Sequence, residues 1–263
     1  MRRSFAVALF LTLAVSPLAL SAQQPTVPTR DPQAIGVLAN ALAAMGGQNV
    51  ATVQDTVVQA TMTPPASQGG NPGTLTITTK GVNKMRFDGS GGAKTSSVIF
   101  NTGSELRSNA AGWHQAPSAN ASHKRFEHIP VLMLTYELTR TDLSVTYVGV
   151  ETLAGRSVQH VQLARVSNLG NALDVTLTRN SQIDVWVDAQ TMFVVKVAFL
   201  YLSETDWRVG LPMEIFYDNY QNTNGLLVPF HQKCLFNGQP LEDMQITSFS
   251  VNQSPADSKF EGN

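Results

Sequence analysis

The chain is short of charge and nearly empty of sulfur chemistry. Of its 263 residues only 14% are Asp, Glu, Lys or Arg, and there is one cysteine, Cys234. A lone thiol cannot close an internal disulfide, so the fold must hold through its core. A net charge of −1 gives no basic surplus to attract a polyanion, which sets nucleic acid aside. Catalytic signatures are also missing: there is no Gly-x-Ser-x-Gly elbow, P-loop, His-Glu-x-x-His or Ser-x-x-Lys. Gly89-Ser90-Gly91-Gly92 is glycine-rich, but it precedes a strand pattern where a phosphate would need a helix N-terminus, and a hairpin loop is expected there. After the first 22 residues no apolar run approaches the ~20 needed to cross a bilayer as a helix.

What is present starts at the N-terminus. Arg2 and Arg3 precede an apolar run from Phe5 to Val15, Pro17 breaks it, and small residues follow up to Ser21-Ala22. This is the pattern of a cleaved signal peptide over 1–22, with no cysteine after it to carry a lipid. The expectation is a periplasmic or secreted protein without stable membrane insertion. Residues 23–30, with two prolines, read as a flexible leader, and 31–263 as one domain.

Asp31 followed by Pro32 predicts a helix start, a carboxylate cap with proline at the first helical position. Ile35, Leu38, Leu42 and Met45 then share one face, and Gly46-Gly47 supplies the stop. Strand patterns follow at 54–63, 74–78, 84–88 and 97–101, then around Glu105-Leu106 and Trp113-His114. Residues 122–139 break the alternation: Phe126, Ile129, Met133 and Tyr136 recur at helical spacing with Leu132 on the flank, and Pro130 either kinks the segment or begins a second helix. Strands resume at 143–150, 158–164 and 174–178. The last third alternates strand-like runs with turn signals: Ile183 to Asp188, Met192 to Val197, Tyr217 to Tyr220, Leu227 to Phe236, Ile246 to Asn252 and Ser258 to Phe260, with Asn224-Gly225 between two of them. One helix in front, many consecutive strands and a central helical insertion suit a single curved sheet wrapped round helices; a sandwich also fits.

Candidate chemistry is thin. His123 and His128 lie five apart, about 140° off a common helix face, and His114, His160 and His231 stand apart from them, so no metal is expected. Glu204 and Asp206 flank Thr205 in what reads as a polar hairpin tip, with Arg208 able to neutralise one of them. Asp184 and Asp188 flank Trp186 on one strand face. Cys234 shares a face with Phe230, Gln232 and Phe236 and reads as a small buried hydrophobe, while His231 points the other way.

Gly73-Thr74-Leu75-Thr76-Ile77, Asn83-Lys84-Met85-Arg86-Phe87, Ser97-Val98-Ile99-Phe100, Gly112-Trp113 and the hairpin from Gly149 to Leu163 follow one another in a telling order. With the C-terminal meander, that order resembles the LolA/LolB/LppX-like superfamily of bacterial envelope proteins. The resemblance implies a mainly β fold with a few helices: a single antiparallel, strongly curved half-open β-barrel, closed by the N-terminal helix and the central helical segment around an apolar cavity. Lys80-Gly81-Val82-Asn83 departs from the family's basic-residue-before-proline strand, so the implied cavity need not take lipoprotein cargo. The cavity candidates are Leu38, Leu42, Met85, Phe87, Ile99, Phe126, Leu132, Met133, Tyr136, Val197, Phe199 and Phe216. The expected function is binding of a lipid or acyl chain, as carrier or sensor, by a monomer with no catalytic residues and no cofactor. An envelope membrane protein is the further partner this role implies. The alternative is a non-enzymatic periplasmic interaction module whose core is filled by its own side chains.

Overall fold

The computed structural model describes residues 27–91, 94–101, 103–116 and 127–262. Helix α1 (Pro32–Met45) begins as the sequence predicts: the Asp31 carboxylate accepts hydrogen bonds from the N–H groups of Gln33 (2.8 Å) and Ala34 (3.2 Å). It ends at Gly46, whose N–H donates to the Leu42 carbonyl. A Cβ there would lie 2.7 Å from Leu226 Cδ2 and 2.9 Å from Val50 Cγ2, so any larger residue would force those side chains to shift. The buried face is Ala34, Val37, Leu38, Ala41 and Met45, with Ile35 and Leu42 on its flank. The helix is rotated slightly from the expected stripe, because the two alanines are short enough to sit centrally against the sheet.

Strands β1 (Asp55–Thr63), β2 (Gly73–Lys80), β3 (Lys84–Gly91), β4 (Lys94–Asn101), β5 (Ser104–Asn109) and β6 (Gly112–Ala116) run outward as a meander. The chain then passes through α2 (Pro130–Leu138) to β7 (Leu143–Leu153), β8 (Arg156–Arg165), α3 (Leu173–Asn180), β9 (Ile183–Asp188), β10 (Val194–Leu202), β11 (Gly210–Thr223), β12 (Leu226–Phe236) and β13 (Gln239–Val251). All thirteen strands form one curved, open antiparallel sheet in the order β6-β5-β4-β3-β2-β1-β13-β12-β11-β10-β9-β8-β7. The two edges, β6 and β7, are consecutive in sequence, so the connection carrying α2 is the link between the rims of the half-barrel.

Register makes the concave face continuous. Phe249, Val58, Ile77, Phe87 and Val98 lie opposite one another across β13, β1, β2, β3 and β4. Val161, Val185, Val197, Ile215 and Cys234 do the same across β8 to β12. Helix α1 lies in the hollow against α2 and strands β7, β8, β9 and β12. Asn224-Gly225, with φ of +54° and +78°, makes the two-residue turn between β11 and β12 that the sequence announces.

Several expectations give way. Residues 173–180 form a helix where the pattern of 174–178 predicts a strand. Leu163 of β8 pairs directly with Ile183 of β9, so the segment between them stands outside the ladder these two strands form. Gly89, Ser90 and Gly91 are not a loop but the end of β3, paired with β2 and β4. Ser258 to Phe260 forms part of a short 3₁₀ turn, not a strand, and lays buried Phe260 on the convex face. Pro130 begins α2 and does not kink a longer helix. The end of the supposed flexible leader is tied down: Val145 N–H donates to the Thr29 carbonyl (2.7 Å) and Asp31 N–H to the Val145 carbonyl (2.9 Å). The signal-peptide segment, residues 23–26, His123 and Phe126 lie outside the described residues. Among the described residues no helix is long and apolar enough to cross a membrane.

Candidate ligand-binding site

Nine of the twelve cavity candidates come together on the concave side. Leu38, Met85, Leu132, Met133, Val197 and Phe199 are buried in one cluster, and Leu42, Phe87 and Tyr136 pack against it. Phe87 meets Phe100 edge-on, with ring centroids 5.9 Å apart. Two candidates belong to the other face. Ile99 pairs with Arg86 and Leu106 and is buried on the convex side, where Arg86 donates to the carbonyl of Lys259 and the C-terminal turn lies over β3 and β4. Phe216 pairs with Lys196, whose ammonium lies 5.1 Å from its ring and 4.4 Å from Trp186. Strand period alone groups residues by face but does not say which face is concave.

Helix α2 forms one wall of the hollow and is pinned before and behind. Gln232, fully buried on β12, donates from Nε2 to the His128 carbonyl (2.8 Å). Its Oε1 lies 3.0 Å from His128 Nδ1 and accepts that ring N–H. Tyr217 donates its hydroxyl proton to the Glu127 carbonyl, and burial pushes its pKa well above the usual tyrosine value. At the far end Arg30 donates to the carbonyls of Leu138 (3.1 Å) and Arg140 (3.2 Å), covering acceptors a helix C-terminus leaves open. Glu137, buried on the same helix, accepts from Arg165 of β8 at 3.3 Å. Burial raises the Glu137 pKa more than the cations of Arg165 and Arg140 lower it.

Between α2, the 3₁₀ turn after α1 and the adjoining ends of β1 and β2 is a slot of about 150 Å³. Val50, Val53, Leu132 and Tyr136 supply its apolar walls, and Asp55, Thr79, Thr135 and Thr139 stand around them. The deep polar groups are internally occupied. Asp55 accepts from the N–H groups of Gln253 (2.6 Å) and Ser254 (3.0 Å), and the hydroxyls of Thr56 and Thr79 share a 2.7 Å hydrogen bond. What the slot offers a ligand is therefore mainly hydrocarbon surface. At ~30 Å³ per water-sized group it holds about five such groups, a short apolar tail; an entire acyl chain needs α2 to move. Sequence reasoning finds Leu132 and Tyr136 but misses Val50 and Val53, which sit in a short turn without any period.

The polar candidates resolve into local pairing. Glu204 binds Arg107, which also holds buried Glu105 at 2.7 Å; Asp206 binds Arg208 at 2.9 Å. The Arg107–Glu204 pair, which the sequence does not signal, joins β5 to the β10–β11 turn on the other half of the sheet. His231 stands between Asp218 (2.8 Å) and Asp243 (3.1 Å), and His160 between Glu151 (2.6 Å) and Asp184 (2.9 Å), both on the convex face. Asp188 caps its own turn by accepting from the N–H groups of Gln190 and Thr191. Cys234 is buried and its thiol pKa is pushed well up by desolvation, which opposes thiolate formation. Among the described residues no group of three His, Cys, Asp or Glu side chains is arranged to hold a metal ion.

An open antiparallel half-barrel with two helices seated in its hollow defines a class of architecture shared with known structures. No family model matches the sequence, and no curated protein matches it. A domain from Vibrio parahaemolyticus described as an outer membrane lipoprotein-sorting protein is 10% identical, with a TM-score of 0.55 over 87% of this chain and 96% of that one. A LolA superfamily protein from Nitrosomonas europaea is 11% identical, with a TM-score of 0.55 over 84% and 94%. A DUF1329 family protein from Desulfovibrio piger is 13% identical, with a TM-score of 0.55 over 87% and 97%. At such identities the likeness concerns the fold, and the fold is LolA-like.

Proposed function

We propose that the protein is an exported, non-enzymatic binder of a lipid or acyl chain, acting as a carrier or sensor in the bacterial envelope. The observation that carries this reading is the slot beside α2, where Leu132 and Tyr136 meet Val50 and Val53 at the edge of a core containing Met85 and Met133. Methionines repack readily around a variable partner. Burial of each ligand methylene would contribute about 0.8 kcal/mol. The LolA-like fold and the signal-peptide pattern support the compartment, and the lipoprotein-sorting description of one structural neighbour supports the ligand class.

The rival reading, an interaction module with a filled core, draws on the packing of α1 and α2: Leu38, Met45, Val131 and Leu134 are fully buried and already occupy the hollow. Native mass spectrometry of the protein purified from a periplasm, with organic extraction of the same sample, separates the two. Stoichiometric lipid that is lost in Leu132→Gln is the expected result. An empty mass that added phospholipid or lipopeptide does not change would sink the lipid reading and leave the module.

A further inference from the structure

The connection between β8 and β9 runs from 166 to 182, whereas hairpin loops commonly take about 2–5 residues. It carries α3, whose Leu173, Val175 and Leu177 are exposed, as are Trp207 and Val209 of the β10–β11 turn. The two connections are bolted together: Asn180 donates to the Trp207 carbonyl (2.7 Å) and Arg179 to the Arg208 carbonyl (3.3 Å). They enclose a groove of about 530 Å³, well inside the range of small-molecule sites. Val166, Leu177, Leu202 and Trp207 give it apolar surface, and Arg165 and Asp142 are the charged residues among its lining.

The two charges there are unequally satisfied. Asp142 is gripped through both oxygens by Arg140, at 2.7 and 2.9 Å. Arg165 makes one side-chain hydrogen bond among the described residues, the 3.3 Å contact to Glu137. A guanidinium has five donors, so Arg165 retains capacity for a second acceptor.

We propose that this groove binds a long-chain fatty acid, its carboxylate on Arg165 and its alkyl chain along Val166, Leu177, Leu202 and Trp207. The site is separate from the slot beside α2 and does not depend on that slot taking a ligand. A guanidinium with donors left over from its contact to Glu137, beside aliphatic and indole surface, matches a single-chain anionic amphiphile in both charge and apolar character.

The test is a fluorescence titration of the purified protein with cis-parinaric acid, with palmitic acid and hexadecanol as competitors. Saturable binding is expected, with palmitic acid displacing the probe better than hexadecanol. Leu177→Gln should weaken binding about tenfold, as expected for an apolar wall made polar. That side chain is already partly in water, so folding is not at stake. Arg165→Gln should remove the preference for the acid over the alcohol; if it also lowers the melting temperature through Glu137, Leu177→Gln decides. Absence of binding, or full affinity in Leu177→Gln, would overturn the proposal. So would a loss seen only in Leu132→Gln, which would put the fatty acid in the slot beside α2.

Discussion

Replacing Gln232 by Met tests whether the approach to α2 is fixed by a buried polar clasp. Gln232 is fully buried and gives two hydrogen bonds to His128, at 2.8 and 3.0 Å, and His128 is itself buried. Methionine has nearly the same length but no amide, so the His128 carbonyl and Nδ1–H both lose their partner. Each unsatisfied buried group costs about 1–3 kcal/mol. Removing the buried amide returns about 1 kcal/mol of its own desolvation. The loss prevails, and the net destabilisation should be about 2–3 kcal/mol. For a domain of this size that is about 5–10 °C in melting temperature. Hydrogen exchange read by mass spectrometry should accelerate in peptides covering 127–138, while peptides from β12 and β13 stay protected. A melting temperature within about 1 °C of wild type would refute the clasp, and so would faster exchange spread evenly over the sheet.

His231 should make stability pH-dependent. Burial alone would lower its pKa, but hydrogen bonds to Asp243 and Asp218 raise it above the usual 6.5, so its contribution is full below 6.5 and is lost as pH rises through the higher folded value. In His231→Gln, urea melts at about pH 6 and pH 8 should differ less than in wild type; an equal difference would exclude this histidine as the cause. Asp257 runs the other way: Lys84 and Lys80 hold its pKa down to about 2, so its contribution is present above 3.8 and is lost as pH falls towards 2, and Asp257→Asn should flatten that acid limb. Around Arg107 the two acids should behave unequally. Glu204→Gln, at a half-exposed pair, should shift stability by less than about 1 kcal/mol, whereas Arg107→Met takes the cation away from the wholly buried Glu105 and should cost about 3 kcal/mol in chemical denaturation.

Local signals in the sequence carried much of the fold. Asp31-Pro32 and Asn224-Gly225 do their work within a few residues, through a cap and a two-residue turn, and both occur where the sequence puts them. The site was less legible, for a reason that Ile99 and Phe216 make plain. Both sit in strands with apolar residues on both faces, and whether a face is concave is decided by what covers it. Ile99 is buried because the C-terminal turn, distant in sequence, lies over β3 and β4; Phe216 is covered by Lys196 from a neighbouring strand. Val175 and Leu177 misled in the opposite direction: their period of two fits a strand, but the segment folds as the exposed helix α3. The Arg107–Glu204 contact joins β5 to a turn nearly a hundred residues later, and nothing local marks it.

On the proposed lipid-binding function, the topology makes α2 the element suited to admit a ligand. Every strand from β6 to β7 is hydrogen-bonded to its neighbours in an unbroken ladder, and α2 contributes nothing to that ladder. Displacing it breaks no sheet hydrogen bond. Among the described residues the cost includes the Gln232 and Tyr217 contacts ahead of the helix, the Arg30 and Arg165 contacts behind it, and the apolar surface of Val131, Leu132, Met133 and Leu134. An incoming acyl chain can replace that surface with surface of the same kind, at about 0.8 kcal/mol per methylene. The polar contacts have no such substitute. On that proposed function, their combined strength, more than the volume of the hollow, would therefore set how readily the half-barrel opens.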